Sequence, residues 1–125
     1  MTKDILMVFL GGGVGSLFRY SVGEYIKSTF QSNIPLHTFL VNFLGCIVIG
    51  FSMDYLTKHP SFSVLTPLLI VGFCGGFTTF SAFGFETYEM LQRQQYGTFF
   101  YYTIGSIIFC LLGCLIGVFI SEQLS

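Results

Sequence analysis

Four apolar runs, each long enough to cross a bilayer and each closed by a short polar interval, take up nearly all of this chain. Lys3 and Asp4 precede the first, which runs from Ile5 to about Phe30. Gln31-Ser32-Asn33 leads into the second, Pro35 to Tyr55, which closes among Asp54, Lys58, His59 and Pro60. The third extends from about Val64 to Met90, Gln92-Arg93-Gln94-Gln95 forms the next interval, and the fourth spans Thr98 to Ile120. A membrane-crossing helix needs about 20 residues. The pattern predicts one all-α integral membrane domain over residues 1–125, with spans at about 5–30, 35–55, 64–90 and 98–120 and no soluble domain or linker left over. Lys3 before an apolar stretch imitates a signal peptide, but Gly11-Gly12-Gly13 interrupts its would-be core and Arg19 follows. A retained first span is the expectation.

Composition narrows the function classes. Charged residues are 9% of the chain, against about 25% in ordinary globular domains. Hydrophobic residues are 53% and the mean hydropathy is +0.77. A net charge of −1 offers no basic surface to nucleic acid. Cys46, Cys74, Cys110 and Cys114 all fall inside spans, so no secreted disulfide framework is implied. Gly11-x-Gly13-x-x-Ser16 matches a dinucleotide fingerprint only superficially, because that motif requires a preceding strand and a βαβ unit. Nucleotide binding is therefore not expected. His37 and His59 lie at span edges without an acid or nucleophile at motif spacing, and Cys110 with Cys114 lacks a third metal ligand in sequence reach. An enzyme is not expected.

An even number of spans places both termini on one side. Lys3 and Lys58 then face one compartment, and Lys27 and Arg93 the other. The positive-inside rule counts Lys and Arg near span ends, and here it finds two against two. Such a balance suits a dual-topology protein inserted both ways up; a fixed orientation that these few charges fail to reveal is the alternative. Four short-looped helices enclose little interior, so a pathway is easier to build between two copies. Small-xxx-small pairs at Gly11 and Gly15, Gly72 and Gly76, and Gly113 and Gly117 together favour a homodimer.

Polar residues at membrane depth are the candidate functional groups. Asn42 lies about 10 Å into the second span at 1.5 Å per residue, and its amide needs a partner inside the protein. It either joins two helices or presents an NH₂ donor to an anion. Arg19 lies roughly 21 Å along the first span. It either snorkels to an interface or, as an intramembrane charge, raises the anion concentration at a vestibule. Tyr102, Ser106, Cys110 and Cys114 recur at intervals of four and share one helix face, as a packing seam or a hydroxyl-lined ion track. Glu89 and Arg93 are spaced to pair. Glu86 has no such neighbour, and either faces a water-filled end, holds protons or shapes a pore mouth.

The least ordinary stretch for a membrane span is GFCGGFTTFSAF, Gly72 to Phe83. Irregular backbone at that depth is tolerated only when buried in protein or lining a cavity. The expectation is a third helix that breaks near Gly75-Gly76 and resumes before Phe85. A break frees carbonyl oxygens, which are hard ligands suited to Na⁺. Phe80 and Phe83 follow. Phenyl rings carry a positive edge, so these two either line an anion path or simply pack.

Gly11-Gly12 through Arg19-Tyr20, Asn42 within VNFLG, and above all the GGxTTFSxF core at Gly75 to Phe83 resemble, in order and over the full length, the Fluc/CrcB family of fluoride channels. The resemblance implies a prokaryotic, multi-pass cell-membrane channel that exports cytoplasmic fluoride passively and protects against fluoride toxicity. It implies an antiparallel, dual-topology homodimer with two pores and a structural Na⁺ at the dimer interface, held by the backbone carbonyls of Gly75 and Thr78. Fluoride would pass Phe80 and Phe83 and meet Asn42, then Tyr102 and Ser106. Arg19 and Glu86 would belong to the vestibule or pore mouth. The next track position, usually Ser or Thr, is Cys110 here, and a thiol is a weaker donor than a hydroxyl. The competing reading is a proton-coupled small dual-topology multidrug exporter. That mechanism wants an acid in mid-span one, whereas Glu24 sits near its end, and a Trp, of which the chain has 0.

Overall fold

The computed structural model describes residues 1–125. Three helices are continuous: α1 (Thr2–Thr29), α2 (Leu36–Lys58) and α5 (Tyr96–Leu124). A short 3₁₀ segment, Pro60–Leu65, leads from α2 into α3. α3 is π-helical over Pro67–Cys74 and ends in a single α turn, Gly75–Phe77; α4 is Phe80–Gln92. The long helices, and Pro67–Gln92 taken together, are each long and apolar enough to cross a membrane. The protein is all-helical and multi-pass.

Local chemistry sets the element ends. Pro35 caps α2, and Pro60 and Pro67 open their segments, where a missing N–H costs nothing because the first helical amides have no partner anyway. The α4–α5 turn is closed by Gln94 at φ 56°, with the Gln95 amide returning to the Met90 carbonyl at 2.8 Å in the manner of a left-handed C-cap.

The bundle is held by glycine seams within one chain. A methyl added at Gly11 would collide with the Leu68 carbonyl and lie 2.9 Å from the Phe73 amide, and at Gly15 it would strike the Phe73 carbonyl. Gly72 approaches Gly11 and the Val8 carbonyl as closely, and Gly76 is set against the Gly12 backbone. The paired numbers rise together, so α1 and α3 run in the same direction. On the other side, Gly50 faces the Cys114 backbone, Gly113 lies against the Phe43 carbonyl, and Gly117 against that of Ile47. α2 and α5 are thus a second parallel pair. Backbone-to-backbone approach of this kind is how helices associate where lipid is as apolar as their side chains. The small-xxx-small pairs therefore serve packing within the chain, and the homodimer they were read to favour draws no support from them. T-shaped rings fill the gaps between glycines: Phe39 and Phe43 on Phe109 at 5.3 and 6.0 Å, and Phe18 on Phe73 at 6.0 Å.

The backbone departs from the expected position of a break. Gly75 and Gly76 are helical, and the extended residues are Thr78 (φ −82°, ψ 159°) and Thr79 (φ −148°, ψ 124°). Helix resumes at Phe80, well before Phe85. The reason is that Gly76 is set against the Gly12 backbone of α1, while the two threonines can satisfy a chain break with their own side chains. Thr78 Oγ1 donates to the Cys74 carbonyl at 2.8 Å, closing α3. Thr79 Oγ1 accepts from the Ala82 amide at 3.2 Å and caps α4.

Candidate functional site

The two extended threonines are gripped from two sides. From α2, Asn42 Nδ2 donates to the Thr79 carbonyl at 2.9 Å while its Oδ1 accepts from the Thr79 amide at 2.8 Å. From α1, Arg19 Nη1 donates to the Thr78 carbonyl at 3.1 Å. Of the two readings of Asn42, the interhelical bond is present, made to backbone instead of a side chain. Arg19 does not stretch to an interface; its guanidinium is part-buried and directed at the interruption. Because the Thr79 amide is taken by Asn42, the Gly75 carbonyl loses the donor it would have in a continuous helix. Gly75 is exposed on the surface of the chain with open space before its Cα.

Arg19, Thr79 and Ser81 line a cavity of about 440 Å³ together with His37, Thr38, Val41 and Ala82. No carboxylate stands in its wall. A second cavity of about 900 Å³ lies toward the α1–α2 loop, and there Lys27, Glu86 and Glu89 join His37 and the loop residues. The carboxylate that the sequence left without a neighbour is fully engaged. Glu86 accepts from Thr38 Oγ1 at 2.5 Å on one oxygen and from Tyr102 Oη at 2.6 Å on the other, and His37 Nε2 stands 3.5 Å from Oε1. Glu89 pairs with Arg93 at 3.3 Å, as their spacing suggested.

Tyr102 ties this group to the aromatic residues. Phe83 packs on Tyr102 at 5.3 Å between ring centres and on Phe80 at 5.6 Å. Phe80 itself is 83% exposed on the surface of the chain. One turn beyond Tyr102, Ser106 is only 8% exposed, and its Oγ has no hydrogen-bond partner in the protein. Cys110 and Cys114 continue the same face as free, half-buried thiols. The stripe is turned inward against α2, where Gly113 between the two cysteines meets Cys46.

The structure therefore brings together Arg19, Asn42 and Thr78 in one cluster, and Glu86, Tyr102, Phe83 and Phe80 in another, with Ser106 and Cys110 leading away from the second. Gly75 stands apart on the outer surface. Three participants escaped the sequence reading: Thr79 as cap and clamp partner, Thr38 as donor to Glu86, and His37 as neighbour of both. Thr38 lies one helical turn before Asn42, and that shared helix face was the available signal for it; His37, five residues before Asn42, lies off that face.

Residues 6–118 match the family model described as CrcB-like protein, Camphor Resistance (CrcB). The chain belongs to the CrcB-like family. The matched region takes in every candidate residue from Arg19 to Cys110. Relatives of nearly equal length agree. A protein of Phocaeicola vulgatus named fluoride-specific ion channel FluC is 41% identical over 120 residues, covering 96% of this chain and 99% of its own. A namesake in Gloeothece citriformis is 38% identical over 120 residues, with 96% and 98% covered. One in Helicobacter pylori is 40% identical over 125 residues, with 98% and 96% covered. These relatives are bacterial, and they are named as ion channels, not as enzymes.

Proposed function

We propose that this protein conducts fluoride passively across a bacterial cell membrane, as a homodimer of antiparallel copies, and so lowers cytoplasmic fluoride. The observation that carries the pathway is Ser106: a hydroxyl buried at membrane depth with no protein partner, one turn from Tyr102. A buried polar group without a partner is costly, and a small strongly hydrated anion that must shed water needs such donors. From the Arg19 cavity, the route runs past Phe80 and Phe83, whose ring edges carry positive potential without a full charge. It then follows Tyr102 and Ser106 to Cys110, and Asn42 keeps a second Nδ2 proton beyond its bond to Thr79.

A passive pore suffices for export. Acid outside favours HF, which crosses lipid uncharged and dissociates within, and an interior-negative potential drives each anion outward by about 2.3 kcal/mol per 100 mV. The proton-coupled exporter reading loses ground because Glu24 is exposed at the end of α1 and paired with Lys27 at 3.2 Å, leaving mid-span one without an acid.

The dimer reading rests on Gly75. Backbone lacking its helical donor must be covered by protein at membrane depth; Gly75 is exposed on the surface of the chain, and a second copy would cover it. A Na⁺ there fits the donor set: the Gly75 oxygen is without its helical partner, and the Thr78 oxygen keeps one lone pair after accepting from Arg19. The same two carbonyls from each copy would hold the ion, which would supply the positive charge joining two broken third helices. The balanced loop charges support both insertions.

Liposomes loaded with KF should release fluoride to an electrode once valinomycin lets K⁺ follow. Equal release of chloride from KCl liposomes, or dependence on a proton gradient, would overturn the reading. Labelling a single introduced loop cysteine from both faces tests topology; labelling from one face alone would contradict the antiparallel dimer.

A further inference from the structure

His37 is the one side chain that lines both cavities. On its inner side the wall carries Arg19 with Thr38, Thr79 and Ser81 and is free of carboxylates. On its outer side it carries Glu86 and Glu89 with Lys27. The imidazole therefore stands at the boundary shared by the two spaces. The ring is 29% exposed, so it exchanges protons with water, and Nε2 lies 3.5 Å from the Glu86 oxygen that also accepts from Thr38.

From these positions we infer that His37 is a proton-controlled positioning residue: it acts through Glu86 to set how readily an anion passes from the outer cavity to the inner one. The inference rests on the fluoride-conduction reading above. With His37 neutral, the passage presents the full negative charge of Glu86 beside the anion. With His37 protonated, the imidazolium forms a charge-assisted bond to Oε1, and the pair is neutral at the point of passage. The remaining charged groups around His37 come from three helices. α1 contributes Arg19, Lys27 and Glu24, with Glu24 already paired to Lys27. α4 contributes Glu86 and Glu89, with Glu89 paired to Arg93. α5 contributes the Tyr102 hydroxyl, bound to Glu86. Imidazole is the side chain whose charge changes between pH 5 and 8, so conduction rises as both baths are acidified through that range.

The test is fluoride current through planar bilayers at equal pH on both sides, stepped from 7.5 to 5.5. Neutral HF carries no current, so lipid leak does not contribute. The parent protein should show conductance rising on acidification by about ten-fold, the low end of the range over which local charge raises anion supply. His37→Gln keeps a donor for Glu86 but cannot titrate, and should give a flat profile near the parent's pH 7.5 level. His37→Lys, charged throughout, should be flat near the parent's pH 5.5 level. Size-exclusion profiles in detergent verify that both variants assemble. A flat parent profile, or a His37→Gln profile that rises as the parent's does, overturns the inference and leaves conduction standing. No fluoride current from the parent at any pH overturns conduction itself, and this inference with it.

Discussion

Replacing Asn42 with Ala removes both hydrogen bonds that hold Thr79, at 2.9 and 2.8 Å. Each intramolecular bond contributes about 1 kcal/mol net, and a buried group left without a partner costs about 1–3 kcal/mol. Pairs inside membranes average lower, about 0.6 kcal/mol. Part of the lost interaction can be regained, because the freed Thr79 amide can turn back to the Gly75 carbonyl. A loss of about 2 kcal/mol is therefore expected, concentrated at the interruption and not spread over the bundle. Two measurements read it. Reversible unfolding in mixed micelles should show that loss of stability. Amide exchange at Thr79 should accelerate roughly 30-fold, since each 1.4 kcal/mol is a factor of ten, while amides in α2 and α5 change little. Asn42→Asp keeps an acceptor for the Thr79 amide but sets a carboxylate oxygen against the Thr79 carbonyl, and should be no better than Ala. If Asn42→Ala unfolds within about 0.5 kcal/mol of the parent, the size of an ordinary surface change, the clamp does not hold the interruption and Asn42 serves only as an anion donor.

Three further outcomes follow from the geometry. Gly15→Ala should cost about 1–3 kcal/mol of stability, because the methyl collides with Phe73 backbone and not with a movable side chain. Gly97→Ala, where nothing lies within 4 Å, should cost nothing measurable in the same unfolding assay. Phe80→Ile and Phe83→Ile should each lower fluoride efflux about ten-fold while leaving the size-exclusion profile unchanged, since aromatic edge interactions are worth up to about 1.5 kcal/mol; conduction at the parent's rate in both would make the rings packing only. Exchanging Na⁺ for a large organic cation should lower the thermal stability of the dimer and Na⁺ should restore it, by about 2.7 kcal/mol at a hundred times the dissociation constant. Equal stability in both cations would remove Na⁺ from Gly75 and Thr78.

What one chain's sequence determined was everything governed by the bilayer as a solvent. Hydrocarbon thickness and the cost of unpaired backbone leave a run such as Thr98 to Ile120 one option, so four helices long and apolar enough to cross a membrane were legible from the sequence. The Glu89–Arg93 pair and the common face of Tyr102, Ser106 and Cys110 followed from helical period alone. Motif order also carried the family.

The partners of the polar residues were decided only by the tertiary structure. Glycine spacing states that a helix permits close approach, but not what approaches; Gly11 and Gly15 turn out to receive α3 of their own chain. Glycines suggested a break through their poor helix propensity, yet both Gly75 and Gly76 are helical, Gly76 packed against the Gly12 backbone of α1. The interruption falls instead on Thr78 and Thr79, whose hydroxyls and clamp partners offset it. Glu86 looked solitary because its partners, Thr38 and Tyr102, are 48 and 16 residues away, and no local period connects such positions. His37 lay at a span edge and acquires a neighbour only when α2 and α4 meet. In a membrane, local sequence dictates that every backbone group be satisfied within its helix; where a helix is interrupted, satisfaction comes from other helices, and only their packing determines which side chains provide it.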